Sequence, residues 1–177
     1  MQKAGLELLG PCDGLSQRTE LLLQSAFMQD FSPAEADILG AAMLRVRARP
    51  GQVLIAEDEA SDWMMLLLSG TVDVVKRRIV TGADAQDPGE VTRLAVLKEG
   101  AILGEMSMLD GEPRYASCSA LCEVEAAVLT RSAVARLIGA HPGVGAKLLV
   151  KITQLLAQRL RNTSNQLLKR LQQTDQR

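Results

Sequence analysis

The chain has 177 residues, 47% of them hydrophobic, enough to bury one sizeable core with flanking helices and too few for two large domains. Its 20 lysines and arginines nearly balance its 21 aspartates and glutamates, which excludes a global field drawing the protein to nucleic acid or an anionic membrane. The longest wholly apolar run, Trp63 to Leu68, falls far short of the ~20 residues needed to cross a bilayer, and no basic stretch leading into an apolar one marks a secretory signal.

Residues 15 to 30 and 32 to 44 read as helices. The second begins at Ser32-Pro33-Ala34-Glu35, where serine caps, proline suits the first helical position and glutamate completes a capping box. Ala36, Ile38, Leu39, Ala42 and Met43 then recur at helical spacing. From Leu44 the texture changes to short apolar or alternating runs broken by glycine-containing turns, which is strand punctuation. Strands are expected at Leu44 to Arg49, Gln52 to Ala56, Trp63 to Ser69, Thr71 to Arg77, Val91 to Leu97, Tyr115 to Ala120 and Glu123 to Leu129. Thr81 to Glu90, polar and rich in Gly, Asp and Ala, reads as a mobile hairpin loop. So many short strands at this spacing predict a jelly-roll type of sandwich or barrel. Helices resume at Ser132 to Ala140 and again beyond His141-Pro142-Gly143, in one long segment reaching about Gln173.

Along that last segment Leu149, Ile152, Leu156, Leu160, Thr163, Leu167 and Leu171 recur at steps of three and four, a seam suited to a partner helix or to packing on its own barrel. A helix of this length would extend ~45 Å and overshoot so small a domain, which favours a homodimer. The basic residues Lys151, Arg159, Arg161, Lys169, Arg170 and Arg177 alternate with Gln and Asn and read as a solvated helix face. The expected organisation is α+β: an N-terminal helical segment (1–44), a β-roll (45–130) and C-terminal helices (131–177).

Cys12, Cys118 and Cys122 are odd in number and lack metal-ligand spacing, which predicts reduced thiols in a cytoplasmic protein, the latter two in the core. The single histidine, His141, has no nucleophile or second histidine near it in sequence and reads as a surface residue. Neither a catalytic set nor a metal site is expected.

The segment Leu103 to Ser117 carries the chemistry. Gly104 permits close backbone approach, Glu105 to Leu109 can form one helical turn with free amides at its start, and such amides make an anion site. Arg114 re-enters after Gly111-Glu112-Pro113 and can pair a phosphate bidentately. Glu105 beside a phosphate is repulsive unless it accepts from a sugar hydroxyl while orienting Arg114. On spacing alone, a structural ion pair between Glu105 and Arg114 is an equal reading.

Gly104-Glu105, the short helix and Arg114-Tyr115-Ala116 resemble the phosphate-binding cassette of cyclic nucleotide-binding domains, and Leu54-Ile55 through Trp63 to Gly70 keeps that family's strand spacing. The resemblance spans roughly residues 20 to 172 and implies a double-stranded β-helix, a jelly-roll β-roll flanked by N-terminal helices and a long C-terminal helix. It also implies a regulatory protein without cofactor whose ligand is a cyclic nucleotide. Glu105 would bind the ribose 2′-hydroxyl, Arg114 the cyclic phosphate, and the amides of Gly104, Met106 and Ser107 the same phosphate. Asp58 and Ser61 stand where glycine and a small apolar residue are usual. Tyr115 stands where a small residue is usual and threonine favours guanine; its hydroxyl would reach the ligand or its ring narrow the pocket, with Ser117 as another source of a hydroxyl. Arg159 to Ser164 resembles the final sensor helix of the family's catabolite-activator branch. There Thr163 would read adenine within its own subunit and Ser164 across a dimer, which implies cAMP before cGMP.

That branch continues into a helix-turn-helix, so DNA binding by this chain alone is not expected; the partners implied are a nucleotide, a second copy and an unidentified protein effector. The alternative is a degenerate fold serving as a dimerisation or docking scaffold, with Tyr115 filling the pocket.

Overall fold

The computed structural model describes residues 5–77 and 91–174. In chain order these form β1 (Glu7–Pro11), a 3-10 turn (Leu15–Gln17), α1 (Thr19–Gln24), α2 (Pro33–Ala41), β2 (Leu44–Ala48), β3 (Val53–Ile55), β4 (Trp63–Ser69) and β5 (Thr71–Arg77). There follow β6 (Val91–Lys98), β7 (Ile102–Leu103), α3 (Glu105–Asp110), β8 (Ser117–Ala120), β9 (Val124–Thr130), α4 (Arg131–Ala140) and α5 (Pro142–Thr174). The hairpin loop expected at Thr81 to Glu90 lies outside the described residues.

Two antiparallel sheets, ordered β1-β2-β9-β4-β7 and β3-β8-β5-β6, form the expected jelly roll. β4 organises its interior, because successive side chains of a strand point to opposite faces. Trp63, Met65 and Leu67 join Leu54, Ile55, Val72 and Cys118 between the sheets. Met64, Leu66 and Leu68 meet Leu39, Leu137, Leu148 and Ile152 from the helices. Burial on both faces is why this strand reads as a continuous apolar run rather than an alternation. Among the described residues no helix is long and apolar enough to cross a membrane.

Several expectations need correction. Residues 15 to 30 are not one helix: the Ser25 hydroxyl accepts from the amides of Phe27 and Met28 and donates to Gly100 O, giving the backbone a non-helical alternative after Gln24. Phe27, Met28 and Phe31 are then buried from a turn. Residues 7–11, expected within the N-terminal helical segment, instead pair with β2 as an edge strand. Cys122 is exposed rather than core, its sulfur accepting from Thr71 N at 3.2 Å, while Cys12 and Cys118 are buried.

The capping box of α2 forms: Ser32 Oγ accepts from Glu35 N at 3.3 Å and Glu35 Oε2 accepts from Ser32 N at 2.8 Å. Glu35 also receives Lys147 of α5 at 2.6 Å, and one turn on, Lys151 pairs with Asp30. Lys151 is therefore a buried side chain reaching an exposed carboxylate and not part of a solvated face. Leu149, Ile152 and Leu156 pack on the chain's own core, whereas Leu160, Leu167 and Leu171 of the same seam are 69%, 58% and 54% exposed. The two readings of the seam thus divide between the halves of α5.

Leu66, fully buried in β4, has no room to be replaced cheaply; Leu66→Ala is expected to lower unfolding free energy in urea by about 2–5 kcal/mol, and a loss below about 1 kcal/mol contradicts this packing. Hydrogen bonds from Lys147 and then from the Ser32 backbone hold the Glu35 carboxyl down to about 2. A carboxyl depressed on folding stabilises above its unfolded value of ~4.3 and loses that contribution as pH falls through the folded value. The stability advantage of the native chain over Glu35→Gln should accordingly be full above about pH 5 and shrink towards pH 2. An advantage constant across that window in denaturant titrations contradicts the pairing.

Candidate functional site

The segment between β7 and β8 folds around Arg114. Gly104 ends β7 with φ 76°, and a Cβ there would stand 2.5 Å from Arg114 Nη1, so glycine is required both for the backbone angle and for the approach. The chain then makes the short helix α3 and closes it with Gly111.

Arg114 is 2% exposed. Its Nη1 donates to Gly104 O and its Nη2 to Trp63 O, each at 2.6 Å, and its guanidinium carbon lies 4.2 Å from the Trp63 ring centroid. The remaining nitrogen, Nε, is buried without a hydrogen-bond partner. The backbone of Arg114 is fixed as well, donating to Glu59 O at 3.0 Å and accepting from Asp58 N at 2.9 Å. Asp58 carries φ 65°, a left-handed angle that glycine adopts freely and that aspartate tolerates better than most residues. Burial disfavours the charged form of Arg114, and among the described residues no carboxylate lies within ion-pair distance of it. The site holds a desolvated cation, fixed through neutral carbonyls and an aromatic face.

Glu105, at the start of α3, is also 2% exposed. It pairs with Arg159 of α5, and Arg159 Nη2 also donates to Ile102 O at 2.8 Å. The expected role of Glu105 in orienting Arg114 is therefore corrected: Arg114 takes its direct bonds from carbonyls, and Glu105 reaches the last helix. Burial pushes the Glu105 carboxyl up, opposed chiefly by Arg159. Arg159 was legible in sequence as one cation of the helix and as the start of the stretch resembling a sensor helix; its pairing across 54 positions has no local signal.

The other expected residues scatter. Ser107 is buried and Met106 exposed on α3. Ala116 is half-buried. The Tyr115 ring is 57% exposed rather than filling the interior, with Lys76 Nζ 4.1 Å from its centroid and donating to its carbonyl at 2.7 Å. The Ser117 hydroxyl accepts from Glu57 N at 3.0 Å. Thr163 and Ser164 lie on the exposed half of α5, one turn beyond Arg159, and Thr163 Oγ1 donates to Arg159 O at 3.0 Å. Within this single chain α5 thus reaches the site through Arg159.

Comparison with known proteins agrees with this architecture. Residues 45–141 match the cyclic nucleotide-binding domain family. A CRP-like cAMP-activated global transcriptional regulator of Mycobacterium tuberculosis is 29% identical over 148 residues, covering 84% of this chain and 61% of that one. The chain thus spans about three fifths of that relative's length. A cyclic nucleotide-binding domain from Methylobacillus flagellatus superposes with TM-score 0.78 at 32% identity, covering 93% of this chain and 89% of that one. The catabolite activator protein of Thermus thermophilus does so with TM-score 0.69 at 26% identity, covering 81% and 62%. With the match spanning more than half its length, the chain belongs to the cyclic nucleotide-binding domain family.

Proposed function

We propose that this chain binds cAMP, with Arg114 as the receptor for the cyclic phosphate and Glu105 as the acceptor for the ribose hydroxyl, in a regulatory protein of the cytoplasm that holds its ligand without hydrolysing it. The observation that carries the proposal is the buried guanidinium of Arg114, with an unpartnered Nε and no ion-paired carboxylate among the described residues. A buried cation of this kind is costly until an anion meets it. The Gly104 turn and the first amides of α3 lie beside the same guanidinium and add donors for a phosphate oxygen. cAMP is preferred over cGMP because Thr163 and Ser164, which the resemblance to the catabolite-activator branch makes the readers of adenine, follow Arg159 on the helix that contacts Glu105.

Arg159 gives occupancy a route outward. A ribose hydroxyl on Glu105 would compete with Arg159 for the carboxylate and bias the position of α5. A ligand shifts such an equilibrium only by its difference in affinity for the two arrangements. The exposed leucines at 160, 167 and 171 then supply a surface for a second copy, bringing Ser164 towards the partner's ligand, and an effector protein would read the resulting geometry.

Isothermal titration with cAMP and cGMP tests the ligand; absence of heat with either at submillimolar concentration contradicts the proposal. Arg114→Ala should weaken binding at least about 100-fold, since it removes a charge-assisted bidentate contact. Arg114→Lys, which keeps charge without the fork, should recover only part. Trp63 is the chain's single tryptophan, so its emission should change on titration in the native protein and stay flat in Arg114→Ala. For the dimer, sedimentation should show two copies that become one in Leu160→Glu/Leu167→Glu; a native monomer at high micromolar concentration overturns that part.

A further inference from the structure

We propose that Arg131, the first residue of α4, is a positioning residue for the nucleotide site: its guanidinium holds the C-terminal end of α3, so that the seat of Glu105 and the α3 amides follows α4. The inference rests on the nucleotide-binding reading above and deepens it.

Arg131 is the wrong residue for its own helix. A cation in the first turn opposes the positive end of the helix dipole, and the first turn of α4 holds no acidic residue to offset it. α4 is started instead by Thr130, whose hydroxyl accepts from Ala133 N at 3.1 Å. The anomaly resolves on α3, whose last turn has no basic residue of its own. Arg131 Nε donates to Met108 O at 2.6 Å and its Nη2 to Ser107 O at 2.9 Å, the latter also accepting from Gly111 N at 3.0 Å, so a cation from another helix adds charged donors to the carbonyl end of α3. α3 has only six residues, too few to hold its own shape, and depends on such outside contacts.

Backbone bonds extend the link. Arg131 N donates to Asp62 O at 2.7 Å, and the next residue, Trp63, supplies the carbonyl and the ring that hold Arg114. Arg131 therefore touches α3 through its side chain and, through its backbone, Asp62, the residue before Trp63. Ala133, Val134 and Leu137 of α4 pack in one cluster with Val144, Leu148 and Ile152 of α5. α3 is bracketed by Arg159 of α5 at its start and by Arg131 of α4 at its end, so neither C-terminal helix can shift without moving a contact to α3.

The test uses the full chain with Arg131→Met and Arg131→Lys. Methionine keeps the length of the side chain without the donors, and lysine restores one charged donor. Arg131→Met should weaken cAMP binding about tenfold or more, since small misplacements of a binding group are costly. Its thermal midpoint without ligand should stay close to the native one, and Arg131→Lys should recover part of the affinity. Hydrogen exchange of the nucleotide-free protein should quicken at 106–111 while β4 and β9 remain unchanged. Native affinity in Arg131→Met, or unaltered exchange across α3, overturns the inference. A uniform loss of protection and of thermal midpoint in Arg131→Met also overturns it, since the role would then be general stability. If the native chain binds neither cAMP nor cGMP, the ligand reading fails by itself and α3 exchange alone decides whether Arg131 positions that helix.

Discussion

A positive charge held inside a β-roll is the constraint on which the rest depends. Removing a guanidinium from water costs several kcal/mol even after relaxation. Hydrogen bonds to a charged group return about 1.5–3 kcal/mol each, so the carbonyls of Gly104 and Trp63 bring Arg114 near balance without closing its shell. The side chains around it follow from that need. Gly104 must be glycine because a Cβ would collide with Nη1, and Trp63 offers the face on which a guanidinium loses least. Asp58 accepts a left-handed backbone so that its amide can meet the Arg114 carbonyl.

The glutamate that looked misplaced beside a phosphate has its charge answered elsewhere. Arg159 answers Glu105 from the far end of the chain, and the same arginine holds Ile102 O at the end of β7. α3 is consequently a small lever fixed by long side chains from α5 and α4 rather than by its own length. The first half of α5 is anchored by Lys147 on Glu35 and Lys151 on Asp30, while its second half carries exposed leucines. The anchor, the Arg159 contact to that lever and the exposed seam follow one another along α5, an arrangement able to carry a change at Glu105 to whatever covers those leucines.

Much of this was legible before any coordinates. The short apolar or alternating runs from Leu44 onward, broken by glycine-containing turns, predicted the strands from local texture, and Ser32-Pro33-Ala34-Glu35 predicted the start of α2 because every residue of a capping box is local. Gly104, Glu105 and Arg114 were found by spacing and resemblance, and all three gather at one point. What was missed is non-local. Ser25 breaks a helical pattern through a bond to Gly100, and β1 is a strand only because β2 lies beside it. Arg159 and Lys151 read as part of a solvated helix face, and Arg131 was not singled out at all, because their partners are distant in sequence. Tyr115 was ambiguous for the same reason, since the ammonium over its ring comes from β5.

The central claim, that the buried guanidinium of Arg114 is an anion receptor, is tested most directly by a crystal structure of the chain grown with cAMP. The account predicts the cyclic phosphate within hydrogen-bonding distance of Arg114 and the first amides of α3, with the ribose hydroxyl on Glu105. Nucleotide bound elsewhere on the roll, with Arg114 still directed only to Gly104 O and Trp63 O, would contradict it.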